Sequence, residues 1–145
     1  MAFSSVHEMI DLCKESGKPL YEVILESDLA ESGLTRAESE AEMHRLWAVM
    51  QATSDGYCGA DRSMSGFAGG DAAKVNAAAA RGVLYADGYF ADVMAEALKT
   101  AECNACMKRI VAAPTAGSCG VLPAVLLPLQ QRRLPDEPAL HRPVY

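Results

Sequence analysis

The residues best suited to chemistry lie in one stretch, Ile110-Val111-Ala112-Ala113-Pro114-Thr115-Ala116-Gly117-Ser118-Cys119-Gly120-Val121-Leu122-Pro123. Small residues fill its centre between two apolar runs. Thr115 and Ser118 supply hydroxyls, and Gly117 and Gly120 let backbone approach a ligand with no Cβ in the way. Pro123 suits the first turn of a helix, where its missing N–H would have no partner, so the loop is predicted to feed a helix. Free N–H groups and the positive end of a helix dipole would then face whatever the loop encloses, which is the physics of an anion site. A substrate carboxylate suits it, and Thr115, Ala116, Gly117 and Ser118 are the candidate binding residues. At Gly117 a side chain is expected to block both a positive φ and backbone approach. Against this stands the plain alternative that a glycine-rich turn before a helix is only a turn. The stretch is neither a P-loop nor a G-x-G-x-x-G fingerprint, since no Gly-Lys-Ser/Thr ends it and the glycine spacing differs.

The elements that must position this loop read as helices. Ser5-x-x-Glu8 is a capping box, followed by Val6, Met9, Ile10 and Cys13 at helical spacing, with Gly17 as the stop. A second helix runs from Pro19 to about Ser32 and closes at Gly33. Thr35-x-x-Glu38 starts a third, whose Met43, Leu46, Trp47 and Met50 form a stripe assigned to packing. Residues 53–70 are rich in Gly, Ser, Asp and Ala and form a long loop; such loops in a compact domain are commonly functional. Asp71 is predicted to N-cap a helix from Ala72 to Ala80 that ends at Gly82, with Lys74 one turn in. The strongest helix spans Gly88 to Met107, with Phe90, Val93, Met94, Ala97, Leu98 and Ala101 on its apolar face and Glu96–Lys99 as a surface pair. No period-two strand stands out, so the fold class is mainly α, with Gly-rich loops between helices.

Composition bounds the function. Half of the 145 residues are apolar, enough for one domain with a core. The net charge is −6, with twelve acidic against five basic side chains in residues 1–62, a poor surface for nucleic acid. No apolar run reaches membrane-span length and the N-terminus lacks the order of a secretory signal, so the expected location is cytoplasmic. Five cysteines without regular spacing argue for reduced thiols rather than a disulfide framework. Cys103-x-x-Cys106 lies in a helical pattern with no second pair, which argues against zinc, and Cys13 and Cys58 read as core or chance residues.

Ile110 to Leu127, with Glu102-Cys103-Asn104-Ala105-Cys106-Met107 before it, resembles the signature of the α subunit or α domain of the iron–sulfur-dependent L-serine dehydratases. The likeness continues upstream through Met64-Ser65-Gly66 and Gly69-Gly70-Asp71-Ala72-Ala73-Lys74-Val75, and more loosely from about Ile10 to Met50. Lys108 stands where that family usually has glycine. The resemblance implies the helical part of the family's catalytic domain over residues 1–131. It implies a carbon–oxygen lyase of amino-acid catabolism and gluconeogenesis that converts L-serine to pyruvate and ammonia with a four-iron, four-sulfur cluster. A β subunit or β domain is its implied partner, and a homo-oligomer is an open alternative. The family's cluster cysteines lie downstream of this chain's last residue, so no metal ligand is assigned here, and the fragment alone is expected to hold no cluster and to be inactive.

For the base that takes the α-proton, Lys74 and Glu102 are the titratable candidates nearest the resemblance in sequence, both read as helix surface residues by default. Residues 132–145 form an atypical Pro-rich tail with Pro135, Pro138 and Pro143, expected to be frameshifted or artificial on a C-terminally truncated member. The competing reading is a non-catalytic helical interaction module or pseudogene product whose loops hold no ligand. Pyruvate formation from L-serine after reconstitution separates the two.

Overall fold

The computed structural model describes residues 3, 5–84 and 88–133, and among these no strand occurs. Six helices follow one another: α1 Val6–Ser16, α2 Leu20–Ser32, α3 Arg36–Asp55, α4 Asp71–Ala80, α5 Gly88–Ala105 and α6 Val121–Arg133, with a 3-10 turn at Ala116–Ser118 before the last. The expected mainly helical class holds. The chain divides into two compact units at His44 and Arg45.

In the first unit, local signals set the boundaries. Ser5 Oγ accepts from the Glu8 N–H at 3.2 Å, and Gly17 ends α1 in the left-handed conformation at φ 67°. Gly33 does the same for α2 at φ 71°, its N–H returning to the Leu29 carbonyl. The Thr35 N–H donates to Glu38 Oε2 at 2.8 Å while Thr35 Oγ1 accepts from the Glu38 N–H at 3.3 Å, the reciprocal box that starts α3. These two starts and two stops match the sequence reading. The packing does not: α1 and α2 lie on one another, yet α1 buries no residue, and Val6 and Ile10 of its apolar stripe are exposed.

In the second unit, α5 is the central element, packed against both α4 and α6. Its buried face differs from the expected one. Ala91, Ala95, Glu96, Thr100, Glu102 and Cys103 are buried, whereas Phe90 and Met94 are exposed. Close approach between helices selects small residues over bulk: Ala72 of α4 is completely buried, and Gly120 lies so near α5 that a Cβ there would stand 3.0 Å from the Ala97 carbonyl oxygen. The buried polar residues are tolerated because they are paired. Glu96 accepts from Ser54 Oγ at 2.6 Å and pairs with Lys99, so the expected surface pair belongs to the interior. The Met43–Met50 stripe is core only in part, since Met50 is buried and Met43 exposed.

Several boundaries moved: α4 begins at Asp71 rather than Ala72, and α5 ends at Ala105 rather than Met107. Thr53 and Ser54, expected in the loop, belong to the last turn of α3, where the buried Thr53 hydroxyl bonds the Val49 and Arg109 carbonyls at 2.8 and 2.9 Å. At the other end, α6 carries Pro123 in its first turn as expected and also the buried Pro128, and it runs to Arg133, two residues into the stretch read as tail. Arg132 pairs with Asp92 at 2.8 Å and lies over the Tyr89 ring. The rest of the expected Pro-rich tail, residues 134–145, lies outside the described residues.

Candidate functional site

Thr115 caps the 3-10 turn from an extended conformation, and its side chain and that of Ser118 satisfy each other's backbone. The Ser118 N–H donates to Thr115 Oγ1 at 3.3 Å, and the Thr115 N–H donates to Ser118 Oγ at 3.2 Å. The N–H groups of Ala116 and Gly117 open this turn and so have no partner within it. Both residues are exposed. The preceding Ala113–Pro114 peptide is cis. The four predicted binding residues therefore form one compact, exposed turn, but the two hydroxyls are engaged locally. Gly117 does not adopt a positive φ, contrary to expectation, and a Cβ there would meet only Thr115 Oγ1 at 3.8 Å. Gly120 serves packing against α5 rather than approach to a ligand.

Glu102 is not a surface residue. It is buried, 6 % exposed, and its carboxylate gathers four donors: Tyr57 Oη at 2.7 Å and the N–H groups of Gly70, Asp71 and Ala72 at 2.8, 2.6 and 3.2 Å. The three N–H groups belong to the start of α4, so a side chain from α5 supplies the N-cap. Asp71 was expected in that role. It is instead the first helical residue, and Gly70, at φ 87°, occupies the cap position with no side chain to offer. Burial by itself pushes the Glu102 carboxyl up, but the hydrogen bonds from Tyr57, Gly70, Asp71 and Ala72 together hold it below the ordinary carboxylate range. Tyr57 is driven the other way, to about 12, by burial and by its bond to Glu102. An ionised carboxylate with both oxygens committed is a cap, not a free base.

Lys74, the other candidate base, is exposed and pairs with Asp71 in its own first turn at 2.7 Å, a contact that holds the Asp71 carboxyl down. Lys108 bonds Asp61 and the Gly56 carbonyl, the latter at 3.3 Å, and so pins the Gly-rich loop; the left-handed residue is its neighbour Met107, at φ 59°. That loop is shaped by two further left-handed glycines at its end, Gly69 and Gly70. A Cβ on either would run into the carbonyl of Asp61 or Gly59. Met64 and Phe67 at its outer part are almost fully exposed.

The thiols do not fit an iron–sulfur cubane. Cys103 is buried with Sγ 3.8 Å from the Thr53 carbonyl, and burial pushes its thiol up despite the Lys108 ammonium; Cys119 is buried and Cys58 exposed. Among the described residues no three cysteine, histidine or carboxylate side chains converge as metal ligands. A cleft of about 430 Å³ is lined by Arg45, Thr53, Cys103, Lys108 and Arg109, and a smaller one by Tyr57, Cys58 and Cys106 among others; the Thr115–Ser118 turn lines neither.

Sequence reasoning passed over Tyr57 and Asn104. Tyr57 is the only tyrosine in residues 53–70, a signal for a buried ring with a polar tip. Asn104 Nδ2 donates to the Ala116 carbonyl at 3.2 Å, a contact between residues too distant in sequence for local pattern to reveal.

The family model described as the serine dehydratase alpha chain matches residues 15–141. The chain is 34 % identical over 125 residues to the L-serine dehydratase alpha chain of Peptoniphilus asaccharolyticus, covering 86 % of this chain and 43 % of that one. Against a Bacillus subtilis protein named "Probable L-serine dehydratase, alpha chain" the identity is 29 % over 140 residues, covering 97 % and 47 %. No solved structure matches significantly. Among the described residues no helix is long and apolar enough to cross a membrane. The chain spans less than half the length of these two relatives. With the match extending over most of its residues, the chain belongs to the serine dehydratase alpha chain family.

Proposed function

We propose that this chain supplies the substrate-carboxylate loop of an L-serine dehydratase, working with a β chain. The reaction removes the α-proton and the β-hydroxyl of L-serine as water, giving 2-aminoacrylate, which tautomerises and hydrolyses to pyruvate and ammonia. The observation that carries the reading is the exposed turn at Thr115–Ser118 in a chain of this family, whose first two N–H groups have no partner inside it. Backbone donors held by a reciprocal cap are oriented before a ligand arrives, which favours carboxylate binding. In this reading Ala116 and Gly117 give their N–H groups to the carboxylate, and Thr115 and Ser118 hold the turn in shape and add a hydroxyl contact. Glu102 has both oxygens occupied, so the base is sought elsewhere; Lys74 remains the exposed titratable group of the two. The cluster implied by family resemblance finds no ligand set in the described residues, and no step is assigned to it.

The test is titration of the isotopically labelled chain with L-serine, followed by pyruvate assay after assembly with a β chain. The amide resonances of Ala116, Gly117 and Ser118 should move with L-serine and far less with ethanolamine, which lacks the carboxylate. Resonances that stay fixed in this turn while pyruvate still forms would remove the site assignment. Neither shift nor pyruvate would favour the non-catalytic module.

A further inference from the structure

Two side chains from the last turn of α5 reach two separate loops. Glu102 takes the N–H groups of Gly70, Asp71 and Ala72 and the Tyr57 hydroxyl, while Asn104 donates to the Ala116 carbonyl. Residues two apart on a helix leave it on different sides, so one turn can hold a loop on each. The Gly-rich loop and the Thr115–Ser118 turn are thus referred to the same short length of helix, and that helix is the one packed by both α4 and α6.

The two holds are unequal. Four donors on a buried carboxylate make charge-assisted bonds, whereas Asn104 makes one neutral bond to an exposed turn. We propose that Glu102 and Asn104 are a pair of positioning residues, Glu102 fixing the Gly-rich loop rigidly and Asn104 tethering the Thr115–Ser118 turn lightly enough to adjust around a bound carboxylate. The ligand part of this assignment rests on the substrate reading above. Neither residue touches substrate; each acts through the backbone it holds.

Backbone amide exchange on the whole chain tests it, with the buried Leu127 amide of α6 as an internal reference for global stability. Glu102→Gln leaves one acceptor oxygen for four donors, so exchange at Gly70–Ala72 should rise about 10-fold or more beyond any rise at Leu127, the factor expected for a lost charge-assisted bond, while Ser118 rises no more than Leu127 does. Asn104→Ala should speed exchange at Ser118 alone. Asn104→Gln keeps the amide donor and should restore part of the slow exchange. Asn104→Asp has the same shape without the donor and should not. Uniform acceleration that includes Leu127, or no change at both loops, overturns the proposal. If Glu102→Gln does not fold, the Asn104 series decides, and a Ser118 rate indifferent to residue 104 overturns it. L-serine is then added to the unsubstituted chain as probe. Failure to slow Ser118 exchange sinks the substrate reading, while the rates measured without L-serine still decide the two positioning roles.

Discussion

The Tyr57 hydroxyl donates to Glu102 Oε2 at 2.7 Å and accepts the Ala73 N–H at 3.3 Å, joining the Gly-rich loop, the end of α5 and the start of α4 through one oxygen. Among the described residues the phenol is the only side-chain donor on that carboxylate, the others being backbone. The cap of α4 therefore depends on two residues remote from it in sequence.

Glu102→Ala should destabilise the chain by about 3 kcal/mol, because it leaves buried backbone donors without an acceptor. That is a large part of the roughly 5–15 kcal/mol that holds a typical domain together. Tyr57→Phe removes one donor from a carboxylate that keeps three, and should cost about 1 kcal/mol. Urea unfolding followed by circular dichroism measures both. Equal losses would mean that the ring, rather than the cap, carries the energy.

Stability should fall at both ends of the pH scale for reasons traceable to this pair. Glu102 is held below the ordinary carboxylate range when folded, so its contribution is present above the unfolded value and is lost as pH falls through the folded one. Tyr57 is raised to about 12, so its contribution is complete below the ordinary tyrosine value of about 10 and is lost as pH rises towards 12. Glu102→Gln should flatten the acid limb, and Tyr57→Phe the alkaline one, in a melting-temperature profile. An acid limb that survives Glu102→Gln unchanged assigns it to other carboxylates.

Gly117 and Gly120 stand three residues apart and should respond oppositely. Gly117→Ala meets no obstacle and has no positive φ to lose, so it should leave stability within about 0.5 kcal/mol. Gly120→Ala drives a methyl to 3.0 Å from the Ala97 carbonyl and should cost about 1–3 kcal/mol. Thermal melts of the two variants compare them directly. A stable Gly117→Ala chain also makes any loss of L-serine response attributable to ligand approach.

The joint change Thr115→Ala and Ser118→Ala removes both halves of the reciprocal cap. It should lower stability by about 1 kcal/mol, as for loss of an N-cap, and weaken the L-serine shift at Ala116 and Gly117 by more than that stability change explains. A shift of undiminished size would show that the hydroxyls neither shape nor serve the turn.

What the sequence determined by itself was the local grammar of the helices. Ser5, Gly17, Gly33 and the Thr35–Glu38 box each act on atoms within four residues, so their effect is legible without knowing the fold. That a loop of small residues feeds α6 was legible for the same reason, since Pro123 in the first turn is a local fact, whereas the reciprocal cap between Thr115 and Ser118 was seen only in the structure. The tertiary structure alone decided which face of α5 is buried. Phe90 and Met94 have the greater transfer energy, but the small residues Ala91 and Ala95 permit close packing, and Glu96 and Glu102 are buried because Ser54, Lys99, Tyr57 and the start of α4 pair with them. It also decided that Asp71 would not cap its own helix. A carboxylate some thirty residues downstream does so, and no periodicity in a single sequence can report that contact, because the free energy it supplies exists only once both helices are folded together.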